Sequence, residues 1–85
     1  MPAGWPDWWE WELELSGHLL ARMEDRGFSE TDLRSMFVRA VLLIPYRIPD
    51  RWVVSTRHQD RRWLVVLELD VVRLALVVIT TYPAS

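Results

Sequence analysis

Three basic side chains, His18, Arg22 and Arg26, follow one another at four-residue spacing early in the chain. On a helix this spacing places them on one side, about one turn apart. An imidazole can transfer a proton near neutral pH, and a guanidinium can hold a phosphate through two parallel hydrogen bonds. The spacing therefore predicts phosphate chemistry, with His18 as general acid or base and Arg22 as a phosphate clamp. The alternative is the solvated side of an ordinary helix, with the arginines paired to nearby acids.

Local signals predict two helices in this region, separated at Gly27. Ser16 is a typical N-cap and Gly27 a typical C-cap, so the first helix should end near Arg26. Ser29 should cap the second helix, with Asp32 completing a variant of the capping box. The apolar residues of the second helix recur at three- and four-residue spacing and predict a buried stripe: Leu33, Met36, Phe37 and Ala40.

The other segments favour strands. Residues 8–15 alternate apolar and acidic side chains, which is typical of a half-buried edge strand, although a helix is the alternative. Three segments rich in Val, Ile, Trp and Thr follow the helices, at residues 51–58, 62–70 and 74–82. The pattern predicts an α+β fold, an antiparallel sheet in the order β-α-α-β-β-β with two helices packed on one face. Residues 1–7 form an irregular lead-in and residues 8–85 a single domain.

A two-residue turn at Gln59-Asp60 would set the register of the first long hairpin. It pairs Arg57 with Arg62 across the two strands. Alternation then gives one apolar face, made of Trp52, Val54, Trp63, Val65, Leu67 and Leu69. The opposite face carries Arg51, Ser55, Arg57, Arg62, Glu68 and Asp70. Like charges on adjacent strands destabilise a sheet by up to about 1 kcal/mol unless an anion lies between them, so this face predicts a phosphate site.

The last hairpin is less clearly specified. A turn at Val71-Val72 would bring Thr81 opposite Arg62, with Tyr82 close by at the rim. Val-Val is poor turn material, and a slip of one residue would put Thr80 and Tyr82 beside the arginines instead. The predicted site comprises six residues: His18, Arg22, Arg57, Arg62, Thr81 and Tyr82.

Composition narrows the function further. The chain of 85 residues has no cysteine and only two histidines, in separate segments, so we expect neither disulfides nor a metal or other cofactor. No apolar run reaches the roughly 18 residues of a membrane span, and we expect a cytoplasmic protein without membrane contact. Net charge is −2, but residues 33–63 hold seven arginines and two acids, which points to an anionic partner.

The six tryptophans have two predicted roles. Alternation assigns Trp9, Trp11, Trp52 and Trp63 to the core. Trp5 and Trp8 lie outside the alternating pattern, which favours a partner surface or a homodimer through the tryptophan-rich N-terminus. His58, next to a turn, is expected at the plain surface.

The run from His18 through Arg22, Arg26, Gly27 and Phe28 to Ser29, with a second helix and strands ending in VVITTYP, resembles a family of small uncharacterised bacterial domains. Their pattern is His-x3-Arg-x3-Arg-Gly-hydrophobic-Ser, and they are usually placed near the RelE-like ribonuclease toxins. The similarity covers roughly residues 11–83. It implies a sheet with helices on one side and a groove on the other, metal-independent RNA cleavage, and a cognate antitoxin. The mildly acidic charge and the tryptophan-rich first strand depart from such toxins.

Two function classes follow from these observations. The first is a toxin-type ribonuclease of a toxin-antitoxin-like system that acts on RNA. The alternative is a non-catalytic interaction module that docks an acidic protein on its arginine face. A degenerate toxin relative, which would bind RNA without cutting it, is a third form.

Overall fold

A computed structural model describes residues 4–27 and 29–84 of the chain. A short 3₁₀ helix, Asp7–Glu10, precedes strand β1 (Glu12–Leu15) and helices α1 (Gly17–Arg26) and α2 (Glu30–Val38). Four strands follow: β2 (Leu42–Pro45), β3 (Arg51–His58), β4 (Arg61–Asp70) and β5 (Ala75–Pro83). Residues 1–3 of the predicted lead-in, Phe28 of the motif and Ser85 lie outside the described residues.

The five strands form one mixed sheet in the order β1-β5-β4-β3-β2. The α+β class and the two helices on one face are confirmed, but the wholly antiparallel sheet and the order β-α-α-β-β-β are wrong. The first strand, β1, runs parallel to the last strand, β5, and the other three strand pairs are antiparallel. The unpredicted β2 ends in Pro45, which is tolerated because this strand lies at the sheet edge.

The first strand is shorter than predicted, since it begins at Glu12 and not at residue 8. Pro6 starts a 3₁₀ turn, in which the Trp9 N–H donates to the Pro6 carbonyl at 3.0 Å and the Trp11 N–H donates to the Trp8 carbonyl at 2.9 Å. A strand would send Trp8 and Trp9 to opposite faces, whereas this turn lets both rings pack against the core.

The predicted helix caps are confirmed. Ser16 Oγ accepts the Leu19 N–H at 3.1 Å, and Gly27 ends α1 in the left-handed conformation with φ of 69°. Ser29 and Asp32 form a complete capping box, with Ser29 N–H donating to the Asp32 carboxylate at 2.9 Å. Both helices therefore begin, and α1 ends, where local sequence signals place them, whereas α2 ends at Val38, before the last residue of its predicted stripe, Ala40.

The core lies between the two helices and one face of the sheet, called the covered face from here on. Helix α1 supplies Leu19 and Met23, and α2 supplies Leu33 and Met36 with Phe37 packed against them. Ala40, the last residue of the predicted stripe, is buried just beyond the end of α2. The sheet contributes the buried residues Val54, Trp63, Val65, Leu67, Leu76 and Val78. Trp9, Trp11 and Trp52 also pack against this cluster, so the four tryptophans assigned to the core are confirmed there.

Trp5 and Trp8, which were expected on a partner surface, pack against the chain's own core. The Trp5 ring meets Trp9 edge-on with 4.6 Å between centroids, and Trp8 lies 5.2 Å from Trp52. Such pairs stabilise a fold beyond simple burial. Both half-buried rings therefore contribute to packing within the chain, and a homodimer through the tryptophan-rich N-terminus stays a prediction.

Helix α1 covers the edge of β5 beyond the end of β1. The pairing of β1 with β5 ends at Leu15 and Val78. Past that point, Ser16 Oγ donates to the Ile79 carbonyl at 3.2 Å, and the Arg26 guanidinium donates to the Thr81 carbonyl. Arg26, the last arginine of the helix motif, thus satisfies a backbone carbonyl at the edge of β5, which is a structural role.

The capping box makes stability depend on pH through Asp32. The hydrogen bond from the Ser29 N–H holds the pKa of Asp32 below its ordinary value and outweighs the opposite effect of partial desolvation. The Ser29 hydroxyl and His58 lower this pKa further by smaller amounts. A carboxyl with a lowered pKa stabilises the fold above its unfolded-state pKa, and this contribution is lost as pH falls through the folded-state pKa. We expect Asp32→Asn to lower the free energy of unfolding at pH 7.

This deficit of Asp32→Asn relative to wild type should shrink steadily as the pH is lowered below 4. Urea unfolding of both proteins between pH 3 and pH 7 measures it. Glu24→Gln, which removes an exposed carboxylate of α1 that forms no ion pair among the described residues, is the control. An Asp32→Asn deficit that stays constant over this pH range would contradict the role assigned to the carboxylate.

Candidate arginine face of the sheet

The register predicted for the β3–β4 hairpin is confirmed. Arg57 pairs with Arg62, Thr56 with Trp63 and Val54 with Val65. The turn residues Gln59 and Asp60 have positive φ angles of 52° and 60°, as a tight two-residue hairpin turn requires. The two arginines therefore lie directly across from each other on adjacent strands.

Arg57 and Arg62 lie on the side of the sheet that faces away from both helices, called the open face from here on. Within residues 4–27 and 29–84, neither helix covers this face, because both pack on the opposite side. Solvent-facing sides of antiparallel sheets are usually polar. This one instead has an apolar middle, formed by Leu42, Ile44, Val53, Leu64, Val66 and Val77.

Two of these apolar side chains are largely accessible, with exposed fractions of 49% for Leu42 and 38% for Ile44. Tyr82, opposite Leu64 on the same face, is 37% exposed. Ser55 is nevertheless buried on this face, since the Arg62 side chain lies over it and donates from Nε to Ser55 Oγ at 3.2 Å. The open face is thus an amphipathic surface with aliphatic groups beside cations, of the kind that marks an interaction site.

The arginines at the two ends of the open face differ in their partners. Arg51 pairs with Glu68 at 3.0 Å, and Arg73 contacts Glu14 at 2.8 Å. At the other end, Arg57 donates only weakly to the Asp60 carbonyl at 3.5 Å, and Arg62 to the Ser55 hydroxyl. No carboxylate of the described chain forms an ion pair with Arg57 or Arg62, so their charges are open to an external anion.

Thr81 does not lie beside the arginines, and this part of the predicted site is wrong. Asp70 pairs with Ala75 across a four-residue connection. A register continued from this pair without a bulge would place Thr81 opposite Leu64, on the open face. A bulge next to Leu67 shifts the register by one more residue and places Thr81 opposite Val65 on the covered face. Thr81 is fully buried there, and its hydroxyl donates to the Leu64 carbonyl at 3.0 Å.

The same bulge brings Thr80 and Tyr82 to the open face; the alternative register is confirmed for Tyr82 beside the arginines and wrong for Thr80, which lies further along the sheet. Thr80 pairs with Val66 and Tyr82 with Leu64, while the Ala84 N–H donates to the Arg62 carbonyl at 2.9 Å. Tyr82 is therefore the diagonal cross-strand neighbour of Arg62, within reach of a long side chain. Arg57, Arg62 and Tyr82 share one end of the open face.

His18 and Arg22 belong to the other layer of the fold. Helix α1 turns Leu19 and Met23 into the core on the covered face, and leaves His18 and Arg22 exposed. The sheet lies between this helix and the open face. The structure thus brings together three of the six predicted residues, Arg57, Arg62 and Tyr82, and leaves His18, Arg22 and Thr81 apart from them.

His58 is buried and not at the plain surface, so that prediction is wrong. It follows Val54 and Thr56 on the covered side of β3, and its ring meets Trp63 edge-on with 5.6 Å between centroids. An electrostatic interaction with this side chain also contributes to lowering the pKa of Asp32 at the start of α2. Strand alternation from Val54 could have placed it, but the adjacent turn favoured exposure.

Residues 4–27 and 29–84 contain no group of three or more His, Cys, Asp or Glu side chains placed to hold a metal ion. No helix among them has the length and apolar character needed to cross a bilayer. Comparisons of the chain with protein-family models, curated proteins and solved structures found no match. Function is therefore inferred from the residues and their geometry.

Replacing Thr81 tests its placement on the covered face. Thr81→Val keeps the shape of the side chain and removes the hydroxyl that donates to the Leu64 carbonyl. We expect a loss of about 0.5–1.5 kcal/mol in the free energy of unfolding. The matched control is Thr80→Val, which lies on the open face and should change stability by less than about 0.5 kcal/mol. Equal effects in denaturant unfolding would contradict this placement.

Proposed function

We propose that the protein is a non-catalytic interaction module that docks an acidic protein on the open face of its sheet. The observation that carries this proposal is the facing pair Arg57 and Arg62, without a carboxylate partner in the described chain, at one end of an uncovered apolar face. A docked partner would bury the aliphatic middle and supply carboxylates to the arginines.

The composition of the open face favours a protein over RNA. Interfaces between proteins combine a buried apolar centre with a charged rim, which matches Leu42, Ile44 and the two arginines. Binding of single-stranded RNA relies on aromatic stacking platforms and on a positive field. The described open face carries Tyr82 at one end and, by alternation from Leu42 and Ile44, Tyr46 beside Arg51 at the other. Two isolated tyrosines do not form a continuous stacking platform, and the chain carries a net charge of −2.

A defined acidic probe tests this docking. The probe is an acetylated octapeptide of four Leu followed by four Glu, whose apolar half can cover the aliphatic middle of the open face while its carboxylates reach Arg57 and Arg62 at one end. We expect saturable binding, with amide shifts in NMR spectra centred on Val53, Leu64 and Val77. Arg57→Gln/Arg62→Gln should weaken binding by about 2- to 30-fold, since an exposed ion pair contributes about 0.2–1 kcal/mol.

The control variant is Arg34→Gln/Arg39→Gln, which makes the same change of charge on exposed residues of the helical layer. It should leave the affinity for the acidic peptide nearly unchanged. Equal weakening by both double variants would reduce the effect to net charge and contradict the docking site. Arginine-dependent binding of an oligouridylate 12-mer without binding of the peptide would favour RNA as the partner.

A toxin-type ribonuclease is a second candidate, supported by the resemblance of the helix motif and by one geometric observation. Arg57, Arg62 and Tyr82 share one end of the open face. In this version the two guanidiniums stabilise the charge on the phosphate as the 2′-oxygen bonds to phosphorus and the 5′-oxygen leaves. Solvent water takes the 2′-hydroxyl proton, and the exposed Tyr82 hydroxyl donates a proton to the leaving oxygen and regains one from water. His18 and Arg22, on the helical layer, then contribute to RNA binding or to contact with an antitoxin.

Expression in a bacterial host separates the two candidates. The ribonuclease predicts growth arrest and fragmented RNA on inducing the wild type, with relief by Arg57→Gln/Arg62→Gln and by Tyr82→Phe. His18→Ala should leave the arrest intact if the open face is the active site. The interaction module predicts normal growth and intact RNA in every case, with soluble folded protein confirmed for each variant.

A further inference from the structure

A groove of about 430 Å³ opens on the covered side of the fold, between β1 and α2. Its aromatic lining comes from Trp9, Trp11 and Phe37. The Trp9 ring is fixed from two sides, by Phe37 at 5.2 Å and Trp5 at 4.6 Å between centroids. The groove is therefore held open by packed rings and has the volume of a typical binding pocket.

The groove borders the free edge of β1. This strand pairs with β5 on one side, and no strand of the described chain pairs with its other side. An unpaired strand edge presents N–H and C=O groups that an extended peptide can pair with. Glu12 and Leu13 line the groove as well as belonging to β1. The groove and the strand edge thus form one continuous surface.

Alternation along β1 defines what an added strand would meet. Glu12 and Glu14 lie on the open-face side, opposite Ala75 and Val77, and Leu13 lies on the covered side towards the groove. Glu14 is already paired with Arg73, whereas Glu12 has no ion pair among the described residues. Glu10 adds a second exposed carboxylate at the groove.

The acidic side chains of this edge favour a basic partner. Acidic side chains on an edge strand repel acidic strands and attract basic ones. The ring of Trp11 in the groove wall offers an apolar surface to the side chains that alternate with the basic ones in such a strand. The one cation lining the groove among the described residues is Arg34, which is paired with Glu30 at 3.4 Å on the α2 side.

We propose that the outer edge of β1 and the adjoining tryptophan groove bind an extended peptide segment of a partner protein, with alternating basic and apolar residues. Its basic side chains lie opposite Glu12 and near Glu10. Its apolar side chains, on the other side of the added strand, enter the groove against Trp11 and Leu13. The groove lies on the other layer from Arg57 and Arg62, and β5 separates the β1 edge from β4, so this site does not use the two arginines.

The probe is an acetylated octapeptide of alternating Arg and Leu, titrated into the full chain at 150 mM salt and followed by NMR. We expect saturable shifts at the amides of Glu12–Leu15 and at the Trp11 indole. A peptide with the same composition, four Arg followed by four Leu, should bind at least about threefold more weakly, since its residues cannot alternate between the two sides of an added strand.

The variant Glu10→Gln/Glu12→Gln should weaken binding of the alternating peptide by at least about threefold. Its control is Glu24→Gln/Asp25→Asn, two exposed acids of α1 that give the same change of charge and should leave binding unchanged. All four positions are exposed, so folding should be retained, and circular dichroism checks this. Equal affinity for the two peptides, equal effects of the two double variants, or shifts remote from β1 would overturn the proposal.

Discussion

Strand alternation is the constraint on which the rest of this structure depends. Each side chain of β3, β4 and β5 belongs to one of two faces, and both helices pack on the same one. One extra residue in β5 is enough to reverse that assignment for the end of the strand. Val78, just before the bulge, lies in the core opposite Leu67. The bulge then turns Thr81 inward and brings Tyr82 out beside Arg62. The composition of the arginine face is therefore decided at a single point in the sheet.

The residues of the helix motif have different physical roles, although its three basic members, His18, Arg22 and Arg26, are regularly spaced. Gly27 ends α1, and Arg26 reaches back to the Thr81 carbonyl, which fixes the helix against the last strand. His18 and Arg22 remain exposed on the same helix. Regular spacing of basic residues places them on a helix surface, but it does not determine which of them contact the rest of the fold. Arg26 acts in the architecture because β1 is too short to cover the whole edge of β5.

Local signals in the sequence predicted the features that depend on neighbouring residues. The capping box at Ser29 and the two-residue turn at Gln59 and Asp60 are examples, because each is determined within a few positions. The β5 bulge was not predictable in this way, since Val, Ile and Thr fit either face of a strand. The parallel pairing of β1 with β5 joins residues more than 60 positions apart, and no local pattern encodes it. For the candidate site, the arginine pair was predictable and its neighbour on β5 was not.

Opposite charges are segregated along this chain, and the fold places part of each group at a different surface. The first 32 residues hold eight acids and two arginines, and they contribute Glu10 and Glu12 to the tryptophan groove beside β1. Residues 33–63, which run from α2 into β4, hold seven arginines and two acids and carry Arg57 and Arg62 on the open face. A net charge near zero hides this separation, because the two contributions cancel in the sum. Partners of opposite charge could therefore dock at the β1 edge and at the Arg57–Arg62 end of the open face without sharing residues, and the local charge at each place favours a different ligand.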